Sequence, residues 1–182
     1  MYPYIRAAYG MFRARSLPTM DPYGTHVSYH RAWPWDTDMF GELNNGRILT
    51  LFELGRWQQT VRLGLVKPFL KDGMTLAVAG VSVRYRKRVP LFQKYRMQTR
   101  MLGYGERFFY VEQSMWQGDT AMNQMLLRAA IRDKGGTVPP VEFLNRMGMP
   151  VEQPGLPDWV RAWMAADDQR PWPPESGPVL TN

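Results

Sequence analysis

The chain has 182 residues, and its 23 lysines and arginines exceed its 16 aspartates and glutamates, which gives a formal charge of +7. Apolar residues make up 45% and charged residues 21%, which is the balance of a folded domain and excludes a disordered chain. There is no cysteine, which excludes disulfides, thiol nucleophiles and cysteine-ligated metals. With only His26 and His30, we expect neither a histidine-cluster metal site nor a Ser-His-Asp triad. We expect neither a metal nor a redox cofactor.

Residues 1–20 predict an amphipathic helix. At helical spacing one face is apolar, formed by Tyr4, Ile5, Ala8, Met11 and Phe12. Three arginines flank that face: Arg6, Arg13 and Arg15. The helix either packs on the domain or contacts an anionic membrane surface through residues 1–15. Because neither a signal peptide nor a membrane-spanning stretch is recognisable, we expect a cytoplasmic protein, with membrane association as the alternative.

A strand and a long helix follow along the chain. Residues 23–33 alternate loosely between polar and apolar and predict a strand, whereas residues 33–46 have the composition of a loop. From residue 48 to residue 65, apolar side chains lie almost all round a predicted helix. Such a helix is buried on most sides, and in a small domain this requires a sheet wrapped around it.

The remaining sequence supplies that sheet. Its β-branched and aromatic residues, with glycine-marked turns, predict four consecutive antiparallel strands, at residues 75–88, 94–104, 107–116 and 121–133. Gly135 and Gly136 are expected to end the sheet. Two short helices, at 141–147 and 158–166, then lead into a proline-rich end. From residue 151 five acids and two arginines leave a charge of −3, so this segment either folds back on the basic body or is solvated.

Positive charge is concentrated at the end of the first long strand. Arg84, Arg86 and Arg88 are one period apart on one face, and the stretch from residue 84 to residue 100 has seven cations and no acid. Such a stretch is either a solvated face of the sheet or an anion site that fits the phosphates of coenzyme A, nucleic acid or lipid head groups. Because no nucleic-acid-binding motif is present, we do not expect a nucleic-acid partner.

The segment DTDMFGELNNGRILTLFELGR, residues 36–56, has the most informative chemistry. Asp36 and Asp38 precede a pair of asparagines that opens the helix, whose first N–H groups can stabilise developing negative charge. A carboxylate held nearby can act as a general base on water or as a nucleophile on an acyl carbonyl. The same residues also fit ordinary helix capping and loop hydrogen bonds.

This segment resembles the thioesterase-like branch of the hotdog-fold superfamily, whose members include 4-hydroxybenzoyl-CoA thioesterase. The resemblance rests on D-x-D-x-x-x-x-x-N-N followed by E-x-x-R, and extends over roughly residues 23–135. It implies an α+β hotdog fold, a curled antiparallel sheet wrapped around a central helix. Residues 1–20 and 138–182 then form helical extensions of a domain at 23–137. Hotdog domains form homodimers or larger assemblies, with active sites between subunits.

The resemblance also implies roles for individual residues. Asp38 matches the base or nucleophile, Asn44 and Asn45 stand at the mouth of the site, and amides as far as Gly46 hold the oxyanion. Glu42 replaces a histidine that is common in relatives, and its carboxylate can only accept hydrogen bonds. The expected substrate-binding residues are Asp36, Gly41, Arg84, Arg86, Lys87 and Arg88. Glu53 is either a second catalytic carboxylate or an ion-pair partner of Arg56 or Arg47.

The sequence therefore predicts an acyl-CoA thioesterase-like hydrolase that cleaves a fatty or aryl acyl thioester. Coenzyme A, or a carrier protein, enters as part of the substrate, and no other cofactor is expected. The alternative is a non-catalytic acyl-CoA or lipid-binding protein on the same fold, which Glu42 and membrane contact by the N-terminal helix would favour.

Overall fold

The computed structural model describes residues 1–174. Its helices are α1 (Tyr4–Ala14), α2 (Asn45–Arg62), α3 (Val66–Asp72), α4 (Pro140–Arg146) and α5 (Asp158–Asp168). Its strands are β1 (Thr25–Arg31), β2 (Thr75–Tyr85), β3 (Lys94–Tyr104), β4 (Phe109–Gln117), β5 (Thr120–Asp133) and β6 (Gly136–Val138). The predicted helices and strands occur in the predicted order, and the structure adds two elements that were not predicted, α3 and β6. The end of the predicted tail, residues 175–182 with Glu175, lies outside the described residues.

The strands form one antiparallel sheet in the order β1-β3-β4-β5-β2, and β6 also pairs with β5. Two expectations are corrected here. Strand β2 pairs with β5 and not with β3, which follows it in the sequence, so the chain crosses from the β2 edge over β5 and β4 to β3, next to the opposite edge strand β1. The glycine pair does not end the sheet, because Gly136 turns the chain with a φ of 122° into β6, which pairs with β5.

Helix α2 lies on the inner face of the curled sheet, which confirms the predicted buried helix. Its buried apolar side chains are Ile48, Leu51, Phe52 and Leu54. They pack against the sheet at Met97, Met115, Met125 and Leu127. A Cβ at Gly55 would lie 2.6 Å from both Met97 Sδ and Thr99 Oγ1, so glycine is required where the helix approaches the sheet this closely.

Helix α1 packs on α2, but through the face opposite to the one expected. Its small residues Ala7, Gly10 and Ala14 are buried, whereas Ile5 and Phe12 of the predicted apolar face are exposed. Small side chains let the two helices approach closely, and the bulky ones cannot fit there. No helix within residues 1–174 has the length and apolar character needed to cross a membrane.

Helix α5 covers part of the outer face of the sheet, on the side away from α2. Its buried Val160 joins Leu102, Tyr110 and Leu126 of the sheet in a separate apolar cluster. Asp167 of α5 forms an ion pair of 2.6 Å with Arg128 of β5. Of the two alternatives for the acidic segment, folding back on the basic body is therefore the one observed for its described part.

Candidate functional site

The loop between β1 and α2 is folded into a tight turn that carries Asp38. The backbone N–H of Asp38 donates to the carbonyl of Glu42 at 2.9 Å, and the N–H of Gly41 donates to the carbonyl of Asp38 at 3.1 Å. Gly41 has a φ of +70°, which favours glycine. One carboxylate oxygen of Asp38, Oδ1, accepts from the N–H of Phe40 at 2.9 Å, so the turn fixes the orientation of the carboxylate.

The segment after β2 holds this turn in place. Residues 41–43 pair with residues 89–91 through two backbone hydrogen bonds of 2.9 Å. Beside them, the Arg88 guanidinium forms an ion pair with the Glu42 carboxylate. The hydrogen bond to Glu42 raises the pKa of Arg88 above its ordinary value, and the charge of Asp38 adds to the increase. Asp38, Glu42 and Arg88 therefore form one charged group.

The N-terminus of α2 lies next to this group. Asn44 caps the helix, because its Oδ1 accepts from the N–H of Arg47 at 3.1 Å. Asn45 and Gly46 form the exposed first turn, where backbone N–H groups have no acceptor within the helix. The Tyr85 hydroxyl at the end of β2 donates to the carbonyl of Asn45 at 3.0 Å. Sequence reasoning missed this tyrosine, since only the topology brings it to the helix.

Asp36 has a very different environment from Asp38, although only one residue separates them. Its side chain is fully buried, and it accepts from Arg6 Nη1 at 2.6 Å and from Arg47 Nε at 2.8 Å. The N–H of Trp33 adds a hydrogen bond of 3.2 Å. Both carboxylate oxygens are thus occupied by donors of the chain itself. The geometry gives Asp36 a structural role in place of the expected contact with substrate.

The basic run divides into two parts. Arg84 and Arg86 line a cavity of about 460 Å³ on the outer face of the sheet, which agrees with the predicted shared face. Arg88 lies beyond the end of β2 and pairs with Glu42 instead. Lys87 is exposed between them, and its backbone N–H donates to the carbonyl of Met122 at 3.0 Å. The two-residue alternation of a strand therefore predicts a shared face only for residues up to the end of the strand.

Glu53 does not form the predicted ion pair. Within residues 1–174 no arginine or lysine nitrogen lies within 4.0 Å of its carboxylate. Arg47 binds Asp36, and Arg56 donates to the side-chain oxygen of Gln113 at 2.6 Å. Burial raises the pKa of the Tyr2 hydroxyl, and the neighbouring Glu53 carboxylate adds to the increase. Glu53 is therefore half-buried beside Tyr2, at the start of the chain.

Large apolar side chains surround the Asp38 turn, and sequence reasoning did not single them out. Met39 and Phe40 are 91% and 71% exposed at its tip. Leu91 and Phe92, on the neighbouring segment, are also exposed. A signal was present in the sequence, because Met39 and Phe40 are adjacent bulky apolar residues in an otherwise polar loop, and contiguous exposed apolar side chains mark binding surfaces.

Comparison with known proteins places the chain in a class. Residues 32–164 match the thioesterase-like superfamily, and because this match covers most of the chain, the protein belongs to that superfamily. The curled sheet around α2 is the hotdog fold, so the predicted fold and family are both confirmed.

Individual proteins that are similar to this chain share less than a third of its residues. Protein THEM6 of Xenopus laevis is 27% identical over 169 residues, which cover 91% of this chain and 80% of that protein. The structure of the DHNA-CoA thioesterase from Staphylococcus aureus is similar with a TM-score of 0.59 and 18% identity, covering 79% of this chain and 91% of that one. The 1,4-dihydroxy-2-naphthoyl-CoA thioesterase from Synechocystis has a TM-score of 0.59 and 11% identity, covering 69% and 96%.

Proposed function

We propose that the protein hydrolyses acyl-CoA thioesters and that Asp38 is its general base or nucleophile. The observation that carries this proposal is the arrangement at the turn. A half-buried carboxylate, the Glu42–Arg88 ion pair and the open first turn of α2 all belong to two neighbouring segments, residues 36–46 and 85–91, that hydrogen bonds join to each other. This combination offers a base, a cation and oxyanion donors to a single ligand.

The proposed reaction depends on which carboxylate oxygen of Asp38 already accepts a hydrogen bond within the chain. Asp38 Oδ1 is held by the N–H of Phe40, so Oδ2 is the oxygen that takes a proton from water as the water attacks the thioester carbonyl. In the nucleophilic variant, the carboxylate attacks the carbonyl itself, the C–S bond breaks and the thiolate leaves, and water then cleaves the resulting anhydride and restores the carboxylate. In both variants the N–H groups of Asn45 and Gly46 hold the oxyanion, and a carboxylic acid and a thiol are the products.

The surroundings of the turn favour an acyl-CoA substrate. Glu42 engages Arg88 through Nε, which leaves the terminal guanidinium N–H groups for a diphosphate. Arg84, Arg86 and Lys87 extend the positive charge along the surface, and the apolar rim around Met39 suits an acyl chain. The activities named for the Staphylococcus and Synechocystis proteins support the same class of substrate.

We further propose that a second copy of the chain completes the site. Strand β2 pairs with β5 along one edge, and within residues 1–174 no strand pairs with its other edge. Along this strand the apolar side chains of Leu76, Val78 and Val81 are 40–50% exposed. An edge with unpaired backbone groups and apolar side chains is suited to antiparallel pairing with β2 of a second copy.

The test is thiol release from a panel of short, long and aromatic acyl-CoAs. The variant Asp38→Asn preserves the turn, because an amide oxygen can also accept from the N–H of Phe40. We expect turnover to fall by about 10²-fold or more. Asp119→Asn is the matched control, the same change in another exposed turn, and should leave turnover unchanged.

The other outcomes are equally informative. Turnover that survives in Asp38→Asn would contradict the proposed role and transfer it to Glu42 or Glu53. A wild-type protein that binds acyl-CoAs without cleaving any of them would favour the second function, a non-catalytic acyl-CoA-binding protein. The Glu42–Arg88 pair is the observation that supports this second function, since a paired glutamate offers the thioester no hydrogen-bond donor.

A further inference from the structure

Helix α1 presents its bulky apolar side chains to solvent. Its contact with α2 uses small residues, and a Cβ at Gly10 would lie 2.8 Å from Gln58 Nε2. The outward-facing residues of the helix are Tyr4, Ile5, Tyr9 and Phe12, and Met1 precedes them; each is at least 62% exposed. Because Ile5, Tyr9 and Phe12 follow the helical spacing i, i+4, i+7, they form one apolar stripe along the helix.

The helix is firmly attached to the domain, so the stripe is not a consequence of a loose terminus. Arg6 forms the ion pair of 2.6 Å with buried Asp36. Trp57 Nε1 donates to the Tyr2 hydroxyl at 3.0 Å, and Arg47 Nη1 donates to the carbonyl of Met1 at 2.7 Å. These contacts hold α1 with its apolar stripe facing outward.

The charged side chains of the N-terminal segment itself, residues 1–20, are all positive. Residues 1–20 contain three arginines and no acid. Arg6 is engaged by Asp36, whereas Arg13 and Arg15 are exposed, and the Arg13 guanidinium lies 5.9 Å from the centre of the Tyr9 ring. An arginine of this kind can keep its charged end among phosphates while its stem lies along apolar side chains.

We propose that α1 is a docking surface for an anionic lipid membrane. The apolar stripe enters the boundary between head groups and acyl chains, with the helix axis in the plane of the interface. Arg13 and Arg15 bind the lipid phosphates, which gives charge complementarity. A second copy of α1 fits less well, because a symmetric contact would bring the arginines of both copies together. The proposal does not depend on the proposed hydrolysis.

Flotation of the full chain with vesicles tests this proposal. The vesicles are either pure phosphatidylcholine or an equimolar mixture with phosphatidylglycerol. We expect the wild type to float with the anionic vesicles, and the double variant Ile5→Ser, Phe12→Ser to bind about tenfold less or worse. The matched control Tyr29→Ser, Leu70→Ser removes two equally exposed apolar side chains elsewhere and should bind like the wild type.

Two further variants test the electrostatic part of the membrane proposal. Arg13→Gln and Arg15→Gln should each weaken binding to anionic vesicles about fivefold, corresponding to about 1 kcal/mol per arginine near a charged membrane. Failure of the wild type to float, or equal flotation of the serine double variant, would overturn the proposal. The proposal would also be overturned if the wild type bound no vesicles and its mass in light scattering were twice that of the serine double variant. This result would assign the stripe to contact with a second copy of the chain.

Discussion

Replacing Asp36 by asparagine tests whether Asp36 has a structural role that is separate from the catalytic role proposed for Asp38. The side chain of Asp36 is fully buried, and those of Arg6 and Arg47 are only 20% and 14% exposed. Asparagine has nearly the same shape but no charge, and its amide group donates where the carboxylate accepted. One of the two arginines therefore loses its acceptor, and both lose the compensating charge.

The magnitude follows from this burial. Removing one partner of a buried ion pair costs about 3–5 kcal/mol, because an uncompensated charge stays in the interior. A domain of this size has a free energy of unfolding of about 5–15 kcal/mol, so the loss is a large fraction of the total. The damage should be greatest at α1, since the Arg6–Asp36 pair is its main polar link to the rest of the protein.

Urea unfolding at neutral pH, followed by fluorescence, measures the effect. The control is Asp133→Asn, whose ion pair with Arg146 is partly exposed, at 20% and 42%, and should therefore cost much less than the buried pair. Limited proteolysis of Asp36→Asn should cleave the N-terminal segment first. If Asp36→Asn cost no more than the control, the structural role of Asp36 would be refuted.

Two further predictions concern acid stability and assembly. Burial, with the Arg62 charge nearby, lowers the pKa of His26 from 6.5 to about 4. Between these pH values the unfolded chain binds a proton that the folded one does not, so acidification should remove about 3 kcal/mol of stability. In urea titrations at pH 7 and pH 4, His26→Gln should reduce this loss, and an unchanged loss would contradict the assignment. Val78→Lys on the open edge of β2 should convert a dimer into a monomer in light scattering, whereas Val141→Lys on α4 should not, and a monomeric wild type would contradict the proposed pairing.

The central helix could be predicted because its signal is local. Apolar residues almost all round α2 required burial on several sides, and the structure shows that the helix approaches the sheet closely at Gly55. The position of β2 could not be predicted in the same way. Alternation along a strand shows which residues share a face, but not which strand pairs with it, because pairing depends on contacts far apart in the sequence.

The two aspartates of the candidate site show the same limit of prediction from sequence. Spacing and resemblance indicated the D-x-D segment, but they could not separate the roles of Asp36 and Asp38. The difference comes from Arg6, a residue 30 positions earlier, which reaches the first carboxylate and not the second. Likewise, the hydropathy of residues 1–20 indicated an amphipathic helix, but a helix with small residues on one side can pack by either face.

The position of Asp36 connects the two proposals. Through Arg6 it holds α1, and through Arg47 and its own backbone it holds the turn with Asp38 and the first turn of α2. Asp36→Asn should therefore weaken both vesicle binding and turnover. By contrast, Ile5→Ser with Phe12→Ser should affect vesicle binding alone, and Asp38→Asn turnover alone. This pattern across three variants would show that Asp36 supports both surfaces and that the α1 stripe and the Asp38 turn act independently. A general loss of folding, by contrast, would reduce vesicle binding and turnover together.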